Sequence, residues 1–413
     1  MQNNKDLVIF TYDFPFGKSE KTFIQYEISC LLKDFKSIEI INQKNFQENS
    51  LLGNDKKNLY FNRKFSKFVN LKNIFLIFFK KVAFKSFFWQ EIFYIIFKKN
   101  FFKKFRMCLS EICLAYLLYE FIKKEKNPQN EIIFYSFWSN FPLISFIELK
   151  KDFKNSKFLS RGLGSDLNGY IKNDDYVPFK KIKFLALNKL VLLGDYQKDG
   201  LKNLNLENKI EISPIGVYSQ KKEVQNIKFN FDEPITFISC GNLIENKNNL
   251  LMIDFLNKFN YQTKIKIKYI MIGKGVLKNK ICNEIKKYSQ IEFIHYEQIE
   301  NFVDFINQNK IHFLLNFSSQ EGMPFTIMES MSCGLPAIVS NIKPNEYLVK
   351  GNGFVFDLDN YENSINEMIF EIKETLKDKE KYMVKSKNSF NFINKNLINS
   401  ECYRKFKIIL DNL

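Results

Sequence analysis

The 413-residue sequence contains no long apolar run. Lys, Asn or Glu interrupts its apolar stretches every few residues, so no window has the 18 or more apolar residues that a membrane-spanning helix needs. The first six residues are polar and lead directly into a strand-like segment, without the pattern of a signal peptide. From these absences we expect a cytoplasmic protein without a membrane span.

Histidine and paired cysteine are also scarce. The chain has two His and seven Cys, and the cysteines are dispersed singly with no Cys-x-x-Cys pair. Such residues supply the ligands of zinc sites and the bridges of disulfide frameworks. We therefore expect neither a metal site nor a disulfide scaffold.

Arginine is rare although the chain is basic. Only four of the 62 basic residues are Arg, and the formal net charge is +17. Residues 56–126 hold 17 Lys or Arg and four Glu, a net charge of +13, so most of the excess is local. A local excess of this size predicts an anionic partner. Because Lys predominates and no nucleic-acid-binding module is recognisable, we do not expect that partner to be nucleic acid.

The length of the chain suits two domains of about 200 residues each. Apolar, strand-like runs alternate with helix-length segments in both halves, which predicts two parallel α/β sheets. A polar stretch at 218–231 has the character of an interdomain linker. The strand-like runs lie at 6–12, 37–42, 132–138, 157–162, 189–194 and 210–216, and then at 235–241, 267–273, 291–296, 311–318, 336–340 and 353–356.

The predicted architecture is α/β, with two doubly wound parallel-sheet domains that face each other across a cleft. Residues 1–218 form the first domain, which includes a basic, Phe-rich helical segment at about 60–126. Residues 219–395 form the second domain, and 396–413 form a helix that we expect to pack back on the first. In such sheets, ligands bind beyond the carboxyl ends of the strands.

Two glutamates follow a predicted strand of the second domain. Glu321 lies in the loop after the strand, and Glu329 lies inside the helix that we expect Pro324 to begin. Both carboxylates can face the space above the strand ends, near the backbone N–H groups of the helix start. This arrangement suits an anion flanked by hydroxyl-binding carboxylates, as in a nucleoside diphosphate sugar. The alternative is that Glu321 caps the helix and Glu329 lies on a solvated face.

The residues around the two glutamates resemble those of the retaining glycosyltransferases of family 4, which have the GT-B fold. The family signature reads S-E-G-x-P-x-x-x-M-E-A-x-S-x-G-x-P, and this chain has S-Q-E-G-M-P-F-T-I-M-E-S-M-S-C-G-L-P at 319–336. The resemblance implies that Glu329 holds the donor ribose and that Glu321 is catalytic, beside the donor sugar and leaving group. It also assigns to the donor site the residues between them: Gly322, Met323, Pro324 and Phe325.

The similarity continues upstream of the two glutamates. Residues 241–247 occupy the place of the family's G-R-L-x-x-x-K, whose Arg and Lys neutralise the donor diphosphate. The resemblance implies a catalytic Lys247 and donor contacts at Gly241 and Asn242, although Asn242 stands where the family has Arg. Gly273 matches a Gly-x-Gly turn near the nucleotide, but an ordinary strand-to-helix turn has the same pattern.

Two segments of the first domain resemble the acceptor side of the family. The sequence F-P-F-G-K-S-E-K-T-F-I at 14–24 is similar to P-x(n)-G-E-T-F-I, which implies acceptor contacts at Gly17, Lys18 and Glu20. The sequence F-Y-S-F-W, which ends at Trp138, is similar to F-Y-S-Y-W. Trp138 therefore joins the residues that the resemblance assigns to the acceptor.

A third segment resembles a donor-binding loop. The sequence S-R-G-L-G-S-D-L at 160–167 is similar to the family's S-R-A-H-G-x-D-L, which implies that Arg161 and Asp166 bind the donor. The family's His, which contacts the donor sugar, is Leu163 in this chain. The two histidines present, His295 and His312, lie in predicted strands of the second domain, where we expect structural roles.

The resemblance implies retaining transfer of a sugar from a UDP- or GDP-linked donor to a lipid-linked, lipopolysaccharide or capsule glycan, without metal or cofactor. In the usual proposal the leaving diphosphate accepts the proton of the acceptor hydroxyl, so the protein contributes positioning and charge stabilisation. Because Asn242 and Leu163 depart from the pattern, an alternative is a catalytically impaired homologue that binds a transferase or a glycan. A nucleotide-sugar epimerase of the same fold is disfavoured by the Glu-x7-Glu context.

The basic segment at 56–126 has two interpretations. Phe and Ile recur at helical spacing with Lys pairs at 80–81, 98–99 and 103–104, as in helices that lie on an anionic bilayer surface. Alternatively, two helices pack on the first sheet with Lys on their solvent faces. We favour the membrane surface, which would place the protein peripherally on the inner face of the cytoplasmic membrane.

Overall fold

The computed structural model describes residues 3–17, 20–44, 58–169, 176–218 and 233–413. The chain divides into two compact units: Met1–Ile215 with Tyr403–Leu413, and Gly216–Cys402. Two predicted features lie outside the described residues: Lys18, and residues 219–231 of the linker. Each unit contains one parallel sheet, so the prediction of two doubly wound parallel-sheet α/β domains is confirmed.

The sheet of the first unit has seven strands in the order β3-β2-β1-β4-β5-β6-β7. All neighbouring strands pair in parallel. Six of the seven strands overlap the runs predicted from sequence, and β3, a four-residue edge strand, falls in the segment predicted to be helical. The strands are β1 (Asn3–Thr11), β2 (Phe35–Asn42), β3 (Leu59–Asn62), β4 (Ile132–Ser136), β5 (Lys157–Gly162), β6 (Lys189–Leu192) and β7 (Ile210–Ile212).

Helices connect the strands of the first unit. The segment predicted to be one basic helical region contains four separate α-helices and a short 3₁₀ helix, Val82–Phe84. A second 3₁₀ helix spans Asp195–Leu204. The α-helices are α1 (Lys21–Asp34), α2 (Lys64–Phe68), α3 (Leu71–Lys80), α4 (Ser86–Ile95), α5 (Phe101–Glu125), α6 (Pro142–Asp152) and α7 (Ser165–Asn168).

The sheet of the second unit has six parallel strands in the order β10-β9-β8-β11-β12-β13. They are β8 (Ile235–Cys240), β9 (Ile267–Ile272), β10 (Ile291–Tyr296), β11 (Phe313–Asn316), β12 (Ala337–Ser340) and β13 (Phe354–Phe356). The helices are α8 (Asn249–Thr263), α9 (Lys278–Ile285), α10 (Phe302–Gln308), α11 (Phe325–Ser332), α12 (Lys343–Leu348), α13 (Tyr361–Lys377) and α14 (Lys379–Asn396), with a 3₁₀ turn at Glu245–Lys247.

Apolar strands covered on both faces form the core of each unit. Residues 132–136 of β4 and 313–316 of β11 are buried throughout, as expected for central strands of a parallel sheet. Phe237 and Phe313 occupy paired positions on adjacent strands, and their rings stack with centroids 5.5 Å apart. Aromatic pairs of this kind add to the stabilisation that comes from burial alone.

The helix α5 lies in the core of the first unit over most of its length. Residues 112–118 are all buried, and they pack in the cluster that also contains β1 and β4 side chains. Within the described residues, no helix is both long enough and apolar enough to cross a membrane. The chain ends with α15 (Asn399–Asp411), and its residues from Tyr403 onward belong to the first unit. There Phe406 packs against Tyr135, with ring centroids 5.4 Å apart.

Candidate functional site

The strand order of the second sheet reverses between β8 and β11, which are adjacent although they are distant in sequence. The loops after two such strands diverge, and they leave a crevice at the carboxyl ends where ligands of doubly wound sheets bind. Lys247 lies in the short 3₁₀ turn after β8, and Glu321 lies in the loop after β11. The fold therefore brings the two residues predicted to be catalytic to the same end of the sheet.

Lys247 and Glu321 form an ion pair in which the Lys247 ammonium donates to Oε1 of Glu321. The two side chains are only 23% and 14% exposed, so water screens the pair less than it screens a surface ion pair. The same carboxylate oxygen accepts a hydrogen bond from the Ser318 hydroxyl at 2.7 Å. The Lys247 ammonium is thus held beside the Glu321 carboxylate, and the Ser318 hydroxyl fixes that carboxylate.

Hydrogen bonds also join the two loops that carry this pair. The backbone N–H of Ser319 donates to the carbonyl of Asn246 at 2.8 Å. The side-chain amide of Asn248 donates to the carbonyl of Phe317, also at 2.8 Å. Hydrogen bonds between the neighbours of Lys247 and the neighbours of Glu321 therefore position both backbones.

A chain of buried polar groups supports the Glu321 loop from the neighbouring strand β12. The Ser340 hydroxyl donates to the Ser318 carbonyl at 2.6 Å. The amide of Asn345, on α12, donates to the carbonyl and hydroxyl oxygens of Ser340 at 3.1 and 3.2 Å. All three side chains are fully buried, where each hydrogen bond is stronger than it would be in water. The chain Asn345, Ser340, Ser318 therefore determines where the Glu321 carboxylate lies.

Glu329 lies on α11 in an environment that disfavours its charge. Burial raises the pKa of its carboxyl to about 7. Burial also raises the pKa of the Cys240 thiol to about 12; the charge of Glu329 adds to this rise, and Lys247 opposes it. Glu329, Cys240 and Lys247 are therefore close enough to interact electrostatically. In the described part of the chain, the Glu329 carboxylate has no hydrogen-bond partner, so it can bind hydroxyl donors.

Glycines allow the loops after β8 and β9 to pack closely. Gly273 has φ of +149°, a region that favours glycine, and an added Cβ would overlap with the carbonyl oxygen of Gly241. The Gly241 N–H in turn donates to the carbonyl of Ile272 at 3.0 Å. The predicted donor residues Gly241 and Gly273 are thus in direct contact. Asn242, which replaces the family's Arg, is exposed beside them.

The start of α11 differs by one residue from the prediction. Pro324 is the N-cap rather than the first helical residue, because its ψ of 96° is extended and the helix begins at Phe325. Helix ends defined from sequence carry an uncertainty of this size. Met323 is buried, while Gly322 and Phe325 are half-buried. These four residues lie between Glu321 and Glu329, so the structure places the whole predicted donor segment at one end of the sheet.

The first sheet also reverses its strand order, between β1 and β4, and Glu20 joins the two loops that follow these strands. The Glu20 carboxylate accepts hydrogen bonds from the backbone N–H groups of residues 12–14, at 2.7–3.0 Å. It also accepts one from the indole N–H of Trp138. Burial raises the pKa of Glu20, and these hydrogen bonds act in the opposite direction. Two of the predicted acceptor residues are therefore brought together by the fold.

Gly17 belongs to the same loop of the first unit. An added Cβ would overlap with the Asp13 carboxylate, and the Gly17 N–H donates to the Asp13 carbonyl at 2.8 Å. Only glycine fits this close approach without a shift of the neighbouring side chain. The loop after β1 therefore has a defined conformation that depends on both Gly17 and Glu20.

Arg161, predicted to bind the donor, lies in the core of the first unit at 1% exposure. Its guanidinium donates to the Glu27 carboxylate at 2.5 and 3.1 Å and to the Ser213 carbonyl at 2.6 Å. The hydroxyl of Tyr135 completes the cluster by donating to Glu27 at 2.7 Å. The charge and the N–H groups of this buried guanidinium are therefore satisfied within the unit, and its role in donor binding stays a prediction.

Asp166 organises the loop after β5. Its carboxylate accepts hydrogen bonds from the backbone N–H groups of Ser139, Leu163 and Gly164 at 2.7–3.2 Å. The ammonium of the buried Lys183 donates to the carbonyl of Asp166 at 2.9 Å. Leu163, where the family has His, is 9% exposed in this loop. The structure thus shows Asp166 as a residue that positions Leu163, and contact of Asp166 with a donor stays a prediction.

The two histidines contact backbone groups of the second unit. The ring of His312 accepts the Thr236 N–H at 2.9 Å, and burial lowers its pKa to about 4. The ring of His295 bonds to the carbonyl of Gly273 at 2.8 Å. Among the described residues, no group of three or more His, Cys, Asp or Glu is placed to hold a metal ion.

Sequence reasoning missed several residues that support the site. They are hydroxyl, amide, thiol and carboxylate groups. The partners of Ser340 and Glu27 lie 22 and 134 residues away, so no local pattern identifies those two. Ser318 and Asn345 lie within the motif-bearing stretch and could have been considered for that reason alone. The missed residues are Ser318, Ser340 and Asn345 around Glu321, Cys240 near Glu329, and Glu27 at Arg161.

The sequence of the second unit matches a known family. Residues 220–391 match the family model described as glycosyl transferases group 1. No curated protein matches the chain. The match covers the strands β8 to β13 and includes Lys247, Glu321 and Glu329.

Solved structures share the fold of almost the entire chain. A glycosyltransferase from Rickettsia africae is 16% identical over 99% of this chain and 98% of its own, with a TM-score of 0.64. The lipopolysaccharide outer core galactosyltransferase WaaB is 14% identical over 99% and 100%, with a TM-score of 0.65. HepE from Anabaena, in complex with UDP and glucose, is 10% identical over 99% and 100%, with a TM-score of 0.63.

At these identities the structural likeness shows the fold alone. That fold is GT-B, as expected from the two parallel sheets and from the resemblance in the sequence. The family match at 220–391 supports glycosyl transfer. Fold and family match together support a GT-B glycosyltransferase.

Proposed function

We propose that the protein is a retaining glycosyltransferase that transfers a sugar from a nucleotide donor to a glycan acceptor. The observation that carries the proposal is the placement of Lys247, Glu321 and Glu329 at the reversal point of the sheet that matches the glycosyl transferases group 1. A cation supplies what a diphosphate needs, and a carboxylate supplies what sugar hydroxyls need. The site is therefore chemically complementary to a nucleotide-sugar donor.

Each of the three side chains has a distinct role in this proposal. Lys247 binds the donor diphosphate and stabilises the negative charge that grows on it as the bond to the sugar breaks. Glu329 accepts hydrogen bonds from the ribose hydroxyls. Glu321 lies next to Lys247, which supports the proposal that Glu321 acts beside the diphosphate and the sugar attached to it.

The reaction needs no protein nucleophile. The bond between the anomeric carbon and the diphosphate oxygen breaks, and the acceptor oxygen forms its bond to that carbon from the same face. The acceptor's hydroxyl proton passes to the departing diphosphate. We propose that these residues accelerate the step by positioning and charge stabilisation, without a metal or other cofactor.

For the donor and acceptor we propose a UDP- or GDP-linked sugar and a lipid-linked, lipopolysaccharide or capsule glycan. The ligands of one structural relative and the activity of another support this choice. HepE is in complex with UDP and glucose, and WaaB is a lipopolysaccharide outer core galactosyltransferase. Their identities to this chain are 10% and 14%, so the donor panel covers UDP-, GDP- and CMP-sugars.

Hydrolysis of a panel of UDP-, GDP- and CMP-sugars tests the proposal. We expect the native protein to release nucleotide from at least one donor and Glu321→Gln to do so more slowly. The alternative, an impaired homologue, predicts a silent native protein that gains turnover when Leu163→His and Asn242→Arg restore the family residues. Product anomers followed by NMR then distinguish retention from inversion, and inversion would contradict the proposed mechanism.

We also propose that the protein works at an anionic membrane surface through residues 71–102, the exposed aromatic segment. Eleven of the 22 large apolar side chains that are exposed in the described residues lie in these 32 positions. The most exposed are Leu71 and Phe97 at 85% and Phe84 and Phe102 at 80%. A concentration of exposed apolar residues of this kind marks an interaction surface.

The charge of the exposed aromatic segment indicates which partner it suits. It contains six Lys and one acidic residue, Glu91. Lys80, Lys98 and Lys99 are exposed alongside the aromatic rings. Aromatic and aliphatic side chains next to Lys fit the interface of a bilayer with anionic headgroups. Since α5 is buried over most of its length, the contact would involve α3, α4 and the turn before α5, a narrower region than 56–126.

Sedimentation with vesicles tests this part of the proposal. We expect binding to an equimolar mixture of phosphatidylcholine and phosphatidylglycerol, weaker binding to phosphatidylcholine alone, and loss of binding as salt rises. The double variant Phe93→Ser with Phe97→Ser should weaken binding by about tenfold or more, because each ring contributes apolar burial. Phe370→Ser, at a Phe of the second unit that is 66% exposed, is the control. Equal binding by both variants would contradict the proposal.

A further inference from the structure

The first unit contains a pocket beside its edge strand that has no role in the reaction described above. It has a volume of about 390 Å³ and lies where β3 turns into α2. Polar and aromatic residues line it, among them Glu39, Tyr60, Asn62, Arg63, Lys64 and Lys67. All of them belong to the first unit, the unit to which the resemblance assigns the acceptor.

The balance of charge in the pocket is positive. Three cations line it, and its single carboxylate, Glu39, is already paired with Lys126. Glu39 also accepts a hydrogen bond from the Asn62 amide at 2.6 Å. In the described part of the chain Lys67 has no acidic partner, whereas the largely exposed Lys64 lies 3.0 Å from Glu125. The pocket is therefore suited to an anion and not to a cation.

Contacts of Arg63 connect this pocket with the loop after β1. The guanidinium carbon of Arg63 lies 4.0 Å from the centre of the Phe16 ring. Phe16 also packs edge-on against Phe61, with ring centroids 5.8 Å apart. A guanidinium that stacks on an aromatic ring keeps the N–H groups at its edge in a fixed plane, which matches the oxygens of phosphate. Phe16 precedes Gly17, so the pocket adjoins the predicted acceptor loop.

We propose that this pocket binds a phosphate group of the acceptor, with Arg63 and Lys67 as its ligands. The inference rests on the proposed function, because it names the class of acceptor that the transferase would use: a glycan that carries phosphate or is linked to a lipid through phosphate. Arg63 supplies directed N–H donors, and Lys67 supplies a point charge. The carboxyl edge of the sheet places the phosphate beside the loop that contains Gly17.

Binding of a small phosphate ester tests the pocket directly. The probe is glycerol 1-phosphate, titrated by calorimetry into the native protein, with glycerol as the uncharged comparison. We expect glycerol 1-phosphate alone to bind, and the double variant Arg63→Ala with Lys67→Ala to weaken its binding at least about tenfold. Lys154→Ala, at an exposed lysine of the same unit, should leave binding unchanged. Equal affinity in the double variant and the native protein would overturn the proposal.

A second arm identifies the source of the phosphate. Vesicles of phosphatidylcholine with phosphatidic acid present the same group on a lipid. If the double variant loses affinity for these vesicles as well as for glycerol 1-phosphate, the phosphate is that of a lipid-linked acceptor. If only the affinity for the soluble ester falls, the phosphate belongs to the glycan. Both results support a phosphate site, and a loss confined to the vesicles would overturn it.

Donor hydrolysis by the native protein, measured in parallel, separates this inference from the proposed function. Donor hydrolysis without binding of glycerol 1-phosphate would overturn the phosphate pocket and leave the transferase proposal standing. Binding of glycerol 1-phosphate without hydrolysis of any donor would overturn the transferase proposal, and with it the identification of the bound group as part of an acceptor.

Discussion

The half-buried carboxyl of Glu329 leads to a prediction in which one substitution changes stability and binding in opposite directions. Its pKa of about 7 exceeds the ordinary value of 4.5, so the folded protein holds a proton that the unfolded chain releases between these two pH values. The free energy of unfolding therefore falls as pH rises from 4.5 through 7. Above pH 7 the free energy of unfolding falls no further, because the carboxylate is then ionised in both the folded and the unfolded protein.

The size of this effect follows from the two pKa values. A difference of 2.5 between about 7 and 4.5 corresponds to about 3 kcal/mol. Because the side chain is half-buried and not fully enclosed, we expect about 2 kcal/mol to be observed. Glu329→Gln keeps the shape and removes the charge. The variant should be more stable than the native protein by this amount at pH 8 and equal to it near pH 4.5.

Hydrogen exchange followed by mass spectrometry is the suitable assay. Both tryptophans, Trp89 and Trp138, lie in the first unit, so their fluorescence does not report on the second. Peptides from β8 and α11 would report unfolding of the unit that contains Glu329. Glu367→Gln, at an exposed glutamate of α13, is the matched control and should show no pH-dependent difference. If native protein and Glu329→Gln had the same stability at pH 8, the burial argument would be refuted.

The same variant tests the role of Glu329 in binding. A carboxylate that accepts two ribose hydroxyls must be ionised, so the affinity of native protein for UDP should rise as pH increases towards 7 and then level off. Well below pH 7 we expect the affinity for UDP to change about tenfold for each pH unit, because binding requires the ionisation of one group. Glu329→Gln should bind UDP more weakly, without that dependence. Comparing the two proteins by calorimetry cancels the titration of UDP itself, and parallel pH profiles would exclude a ribose contact.

Three further substitutions test Lys247, the hydrogen bond of Ser340 and the ion pair of Glu27 with Arg161. Lys247→Ala should lower kcat by at least about tenfold and UDP affinity by less, because the charge on the diphosphate grows towards the transition state; equal turnover would remove Lys247 from the mechanism. Ser340→Ala should lower kcat several-fold with unchanged UDP affinity, since the Ser318 loop loses a buried hydrogen bond of about 1 kcal/mol; an unchanged kcat would show that the loop holds its position without it. Glu27→Gln should destabilise the first unit by about 3 kcal/mol, measured by Trp fluorescence during urea unfolding, because the buried Arg161 loses its counter-charge; a change below 1 kcal/mol would contradict the role of the pair.

The sequence predicted the second unit better than the first because the site of the second unit is more local in sequence. Glu321, Glu329 and the residues between them lie on one loop and one helix, so their spacing already fixes their arrangement. Lys247 is 74 residues from Glu321, and only the pairing of β8 with β11 brings the two together. A motif identified both residues, but it gave no indication that they form an ion pair.

In the first unit, local patterns indicated which residues matter without showing how they act. Arg161 and Asp166 were assigned to the donor from a motif, and the structure shows each of them bonded to protein groups. A motif does not distinguish a side chain that binds a ligand from one that positions the loop carrying the ligand. Glu20 illustrates the same limit, because its partner Trp138 lies 118 residues away.

The basic, Phe-rich segment shows why composition alone could not define its structure. Phe, Ile and Lys are so frequent between 60 and 126 that helical spacing is satisfied in several phases at once. The structure resolves the ambiguity: residues 112–118 of α5 are buried in the core, whereas Phe84, Phe93 and Phe97 are exposed. Core packing, one of the two interpretations made from sequence, therefore holds for residues 112–118, and contact of the exposed part with a membrane surface stays a proposal.

The two units use a glutamate in the same structural position for different purposes. In each, a carboxylate joins the loops after the two strands where the sheet reverses: Glu20 after β1 and β4, and Glu321 after β8 and β11. Among the described residues, Glu20 receives neutral N–H donors, so it joins two loops without a cationic partner. Glu321 receives a lysine, and a lysine can exchange one oxyanion for another because its ammonium has no preferred partner geometry. A phosphate can therefore replace or share the Glu321 carboxylate, which is why we assign the charge chemistry of the transfer to the second unit and the positioning of the acceptor to the first.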